Sequence, residues 1–173
     1  MRKKITVLLC YLVAVWAQAQ TTSFISYGME QGLVQNQVQS ISQDNEGNLW
    51  IGTIAGLSKY NGTQWYNYTK NTNLAEDWIT CSYKDKDGNI WLGHWAGGVT
   101  RFNFSTQQFE NLNLEEYTRF KSIRAIVQDA TGKFWIATEG AGVFIFDALT
   151  EKMYSLTARD GLSSGTVYDI CTD

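Results

Sequence analysis

One short phrase is written three times in this chain. A chain that repeats itself at such spacing builds its fold from stacked or radial copies of one unit. Asp44-Asn45-Glu46-Gly47-Asn48-Leu49-Trp50-Ile51-Gly52-Thr53 returns as Asp85-Lys86-Asp87-Gly88-Asn89-Ile90-Trp91-Leu92-Gly93-His94, then as Asp129-Ala130-Thr131-Gly132-Lys133-Phe134-Trp135-Ile136-Ala137-Thr138. The central tryptophans stand 41 and 44 residues apart. A fourth copy opens with Val167, Ile170 and Asp173, each 44 residues after Ile123, Ile126 and Asp129. A repeat unit cut at its first turn cannot bury its own apolar face, so the chain is expected to be part of a longer one.

Each copy reads as four short strands. In the first, Val38 to Gln43 alternates loosely, as a half-buried strand does. Asp44 to Gly47 makes a turn, because Asp bonds its own backbone and Gly tolerates positive φ. Leu49 to Gly52 and Leu57 to Tyr60 follow, and Asn61-Gly62 signals a hairpin into Gln64 to Tyr68. Four strands joined by tight turns in such a period form one blade of a β-propeller. The predicted fold is all-β: a partial propeller of about three and a half blades, near 33–68, 74–112, 118–156 and, incomplete, 162–173. Phe24 to Tyr27 aligns with Trp65 to Tyr68 and reads as an outer strand that would close the ring.

The first nineteen residues read as a secretory signal peptide. Arg2-Lys3-Lys4 is a positive leader, Ile5 to Val15 an apolar run too short to span a bilayer, and Ala17-Gln18-Ala19 a cleavage signal. The mature segment, from residue 20, is therefore expected in the periplasm, with no apolar run to anchor it. Without the leader cations, 11 Lys and Arg face 17 Asp and Glu, a net charge of −6. That balance argues against nucleic acid or an anionic membrane surface as a partner. Cys81 and Cys171 fall on inner strands two repeats apart, too far for a disulfide, and are expected to be buried as small hydrophobes.

Gly32 to Gly62 resembles the two-component regulator propeller repeat, typically G-L-x-x-N-x-V-x-x-I-x-x-D-x-x-G-x-L-W-I-G-T-x-x-G-L-x-x-[YF]-[DN]-G. The resemblance runs from Phe24 to Asp173, with departures at Ser82, His94 and Ala137. It implies the exported sensor half of a hybrid two-component system of Bacteroidetes type. Such a sensor recognises oligosaccharides and signals to a histidine kinase beyond a membrane helix. The implied partners are an oligosaccharide or other small ligand, further propeller blades and downstream kinase modules. No kinase sequence occurs in these 173 residues.

The repeated Asp-x-x-Gly-x-x-Trp also resembles the Asp-box of sialidases, which spaces Asp and Gly by one residue instead of two. The tryptophan-docking motif of quinoprotein propellers is one residue longer than Asp129 to Trp135. A metal site would need more than one acid beside each turn. Asp44, Gly47, Trp50, Asp85, Gly88, Trp91, Asp129, Gly132 and Trp135 therefore read as structural repeat residues, with no cofactor or metal.

The ligand candidates are the residues that vary in the loops around the central opening. They are Asp77, Trp78, His94, Trp95, Arg119, Lys121 and Glu139, with Thr53, Ile54 and Ala141 lining the same loops. Trp78 and Trp95 offer flat apolar faces, and the charged residues offer directional hydrogen bonds, the combination a pocket uses to orient a sugar. Asp77 and Glu139 also suggest a glycosidase pair, but nothing else in the chain supports catalysis. The expectation is a non-enzymatic sensor segment. A scaffold for protein–protein contact is the alternative, and a carbohydrate-active enzyme a third reading.

Overall fold

The structure, a computed structural model, describes residues 24–112, 114–118 and 121–172. The signal-peptide reading over 1–19 and the candidate Arg119 lie outside the described residues. Among the described residues, twelve strands form three separate four-stranded antiparallel sheets. The first blade holds β1 (Val38–Gln43), β2 (Leu49–Thr53), β3 (Gly56–Tyr60) and β4 (Trp65–Tyr68). The second holds β5 (Ile79–Lys84), β6 (Ile90–His94), β7 (Val99–Asn103) and β8 (Gln108–Leu112). The third holds β9 (Ile123–Gln128), β10 (Phe134–Thr138), β11 (Val143–Asp147) and β12 (Lys152–Leu156). The strands of each sheet are in sequence order, and the first strands β1, β5 and β9 lie side by side. This is an all-β, partial propeller.

The repeated phrase is a lock. Asp44 Oδ1 accepts the backbone N–H groups of Glu46 and Asn48, both at 2.9 Å, which fixes the turn between β1 and β2. Its Oδ2 accepts the Trp50 indole N–H at 2.8 Å. Asp85 and Asp129 repeat the arrangement with Trp91 and Trp135, again at 2.8 Å. Gly47, Gly88 and Gly132 sit at φ 88°, 87° and 90°, where a side chain would be strained. Burial raises the Asp44 carboxyl, but the bonds from Trp50, Asn48 and Glu46 outweigh it and hold the pKa below the ordinary value. A hydroxyl bond from Thr131, with that of the Trp135 indole, holds Asp129 low as well.

Locked in this way, the first two indoles are aimed out of their own sheets into the next. The Trp50 ring lies 4.7 Å from Phe102 and 6.4 Å from Phe109 of the second blade. Trp91 lies 3.9 Å from Phe134 of the third. The two apolar cores are consequently found between blades. One gathers Trp50, Leu57, Ile79, Leu92 and Phe102, the other Trp91, Ile123, Phe134, Ile136 and Phe144. Trp135, with no complete blade beyond it among the described residues, stays half-buried.

Phe24 to Tyr27 joins none of the three sheets, and the Tyr27 ring packs on Tyr60 at 5.4 Å and Trp65 at 5.9 Å of the first blade; the last blade that this segment would close is not among the described residues. Other segments differ from the sequence reading. Cys81 is half-buried in β5, where burial pushes its thiol up to about 12, but Cys171 is exposed. Short helical turns at Met29–Gln31, Lys70–Thr72, Glu115–Thr118 and Ala158–Asp160 occupy the segments that precede or follow a blade, which carried no predicted element.

Candidate functional site

Every inner strand breaks its ladder at the same place. The register slips between Val38 and Ser40 in β1, between Ile79 and Cys81 in β5, and between Ile123 and Ala125 opposite the end of β10. A bulge of this kind re-aims one side chain out of the pleat. The bulged residues are Gln39, Thr80 and Arg124, and Tyr168 holds the same place in the fourth copy. Thr80 donates to the Gly93 and Ile123 carbonyls, and Arg124 reaches the turns after β6 and β10, which the backbone ties to the entries of the second and third blades. Trp95 N donates to Trp78 O at 3.0 Å, and Glu139 N donates to Ser122 O at 2.9 Å.

On this loop face Trp78 and Trp95 stack, with ring centroids 4.5 Å apart and planes 12° from parallel. The Arg124 guanidinium lies over the Trp95 ring at 5.8 Å and over the Tyr168 ring at 5.9 Å. Its Nη2 pairs with Glu139, while its Nε is buried without a partner. Residues from two blades and the fourth copy thus form one row: indole, indole, guanidinium, phenol. Trp95 is 42% exposed, so the row keeps an edge open to solvent. Its flat faces, however, are largely taken by Trp78 and Arg124. Such a row can accept the C–H face of a sugar at its rim, with Glu139 and Arg124 as directional partners.

The remaining candidates are placed less uniformly. Asp77 Oδ1 accepts the Lys70 backbone N–H at 2.6 Å, which ties the entry of the second blade to the exit of the first. Asp77 and Glu139 each hold a different partner, an arrangement unlike a free pair of carboxylates. Lys121 is exposed and reaches over the turn at Gly140.

His94 offers nothing to solvent: it is 0% exposed at the end of β6. Thr100 Oγ1 donates to Asn111 and accepts from Ala75 N, so the His94 Nε2–H completes its shell at 2.8 Å. The Nδ1 atom is left buried without a partner. Burial lowers the imidazole pKa to about 4, despite the nearby Glu76 and Trp78 carbonyls and the Asp77 charge. The reason lies in the repeat, since Thr53 and Thr138 occupy the same place and are equally buried.

Arg124 and Tyr168 escaped the sequence reading. The signal that could have found them is the repeat column Gln39, Thr80, Arg124, Tyr168, whose members share no chemistry although their neighbours keep theirs.

Comparison with known proteins agrees with this geometry. The model of the two component regulator propeller matches residues 32–55, 73–96 and 119–140. A stretch of 59 residues is 39% identical to histidine kinase P4 of Formosa agariphila, covering 33% of this chain and 4% of that protein. The extracellular domain of a hybrid two-component system from B. thetaiotaomicron superposes with a TM-score of 0.73 at 26% identity, over 84% of this chain and 22% of that one. The extracellular domain of a one-component system from the same organism gives 0.66 at 21% identity, over 81% and 19%. Virginiamycin B lyase from Staphylococcus aureus shares the fold alone, at 0.54 and 17% identity, over 69% and 41%. The chain spans less than half the length of each of these relatives. With the Asp–Trp lock in all three blades and the family pattern over all three phrases, the chain belongs to the two-component regulator propeller repeat family.

Proposed function

We propose that this chain is an exported, ligand-binding segment of a two-component sensor, that its ligand is an oligosaccharide, and that occupancy is passed to a histidine kinase module. The observation that carries the reading is the row Trp78, Trp95, Arg124 and Tyr168, with Glu139 on Arg124. Its members come from the second blade, the third blade and the fourth copy, so a ligand touching the row bridges all three. A ligand moves a sensor between two arrangements only by binding one of them better, and a site built across blades supplies that difference. The relatives with extracellular propeller domains of two-component systems support the same reading.

The test is thermal unfolding of the chain in the presence of neutral oligosaccharides. A binding glycan raises the unfolding temperature, and Trp95→Ala removes that rise while the variant still unfolds cooperatively. A panel of glycans that leaves the unfolding temperature unmoved, or a rise that survives Trp95→Ala, rejects the site.

A further inference from the structure

Beside the aromatic row, on top of the third blade, lies a cavity of about 540 Å³. Its rim carries Lys121 from the entry of the blade, Arg159 from its exit, and the hydroxyls of Tyr117 and Ser155. Gly140, Gly142 and Gly165 line it with bare backbone. A Cβ on Gly142 would run into the Leu156 carbonyl oxygen, and Gly142 and Gly140 sit at φ 84° and 106°. The Lys121 stem lies 3.7–4.0 Å from where a Gly140 Cβ would stand.

The repeat supplies its own control for the charge of this cavity. One blade earlier, the position of Lys121 is held by Asp77, whose carboxylate closes on the Lys70 backbone N–H. Two blades earlier, the position of Arg159 is held by Asn71. Glu76 and Asp77, which enter the second blade, become Ser164 and Gly165 in the fourth copy. Around the third blade, then, two acids have been replaced by neutral residues, Lys121 is a new cation at the entry, and at the exit Arg159 is gained where Lys70 becomes Ala158. Among the described residues neither Lys121 nor Arg159 makes an ion pair. Asp160, next in sequence, is turned back to accept from Thr157 N and Oγ1, both at 2.9 Å. Bonds from Thr157 and the Arg159 charge hold the Asp160 carboxyl below its ordinary pKa, so Asp160 offsets part of that charge, and the open cavity draws anions through Lys121 with Arg159 beside it.

We infer that this cavity binds an oxyanion substituent, a carboxylate or sulfate, on a saccharide unit. The volume suits one or two sugar rings. Arg159 can grip such a group through two N–H donors, and Lys121 adds a point charge. The inference rests on the sensor reading above and deepens it by giving the ligand a charge.

The experiment is calorimetric titration of the full chain with digalacturonate, galactose 6-sulfate and neutral digalactose, at low and at high salt. An anionic probe is expected to bind at low salt and to weaken as salt rises. Lys121→Ala and Arg159→Ala should each weaken it by about tenfold. Arg159→Lys should retain part of the affinity, and Lys152→Ala, outside the cavity, should change nothing. Preference between digalacturonate and the sulfated sugar identifies the oxyanion. Failure of both anionic probes to bind, or equal binding by the alanine variants, overturns the inference. If digalactose then still binds and depends on Trp95, the sensor reading survives without the charged cavity.

Discussion

At the scale of one residue, His94 is the informative case. The family phrase asks for Thr here, and Thr53 and Thr138 use their hydroxyls to hold the turn, each donating to a carbonyl at 2.8 Å. His94 takes the same buried place with a titratable ring. Its pKa is about 4 in the folded chain and about 6.5 when unfolded. Between these values the unfolded chain binds the extra proton, so stability is complete above pH 6.5 and falls as pH drops towards 4. The loss is on the order of 3 kcal/mol. Urea unfolding from pH 7 to 4 is expected to show that slope in the parent and a much shallower one in His94→Thr. Equal slopes would mean the imidazole is not held neutral. Sequence alone marked His94 as different but could not show its direction. A strand-end residue looks exposed until the neighbouring blade is placed against it.

At the scale of the element, the inner strands are held close by glycine. A Cβ at Gly52 would stand 2.5 Å from Ile79 Cγ2 of the next blade. One at Gly93 would meet Cys81 Sγ at 2.5 Å and Ile123 Cγ2 at 2.6 Å. Gly93→Ala should therefore push β9 from β6 and cost about 1–3 kcal/mol, the usual range for overpacking. Differential scanning calorimetry would show the lowered transition, and an unchanged one would mean the blades are more loosely apposed than described. The strands were legible in the sequence because Asn61-Gly62 and the Asp-x-x-Gly turns punctuate them. The bulges were not legible: residues 39, 80 and 124 are ordinary strand positions by pattern, and only pairing shows that each is ejected from its ladder. That is why Arg124 and Tyr168 went unread while Trp78 and Trp95 did not.

At the scale of the molecule, the arc of blades leaves apolar surface at its first edge. Ile41 is 63% exposed on β1 and Phe24 92% exposed before it. Inner-strand residues of the second and third blades at comparable places, such as Ile126, are covered by a neighbouring blade. Exposed apolar strand edges seek partners. The chain by itself is expected to sediment with a weight-average mass that rises with concentration. A monodisperse monomer across the accessible range would contradict this. Here too part of the organisation was legible early. The period gave the number of complete blades, but no pattern in Phe24 to Tyr27 told that Tyr27 would settle on Tyr60 and Trp65.

The forward aim of the tryptophans sets a timetable for synthesis. Trp50 is covered by Phe102 and Phe109, which are encoded 52 and 59 residues later. A ribosome adds roughly 5–20 residues per second, so each blade waits several seconds for the rings that cover its largest side chain. The nascent chain therefore always carries one unfinished blade at its growing end, and the lag advances with it, one blade at a time.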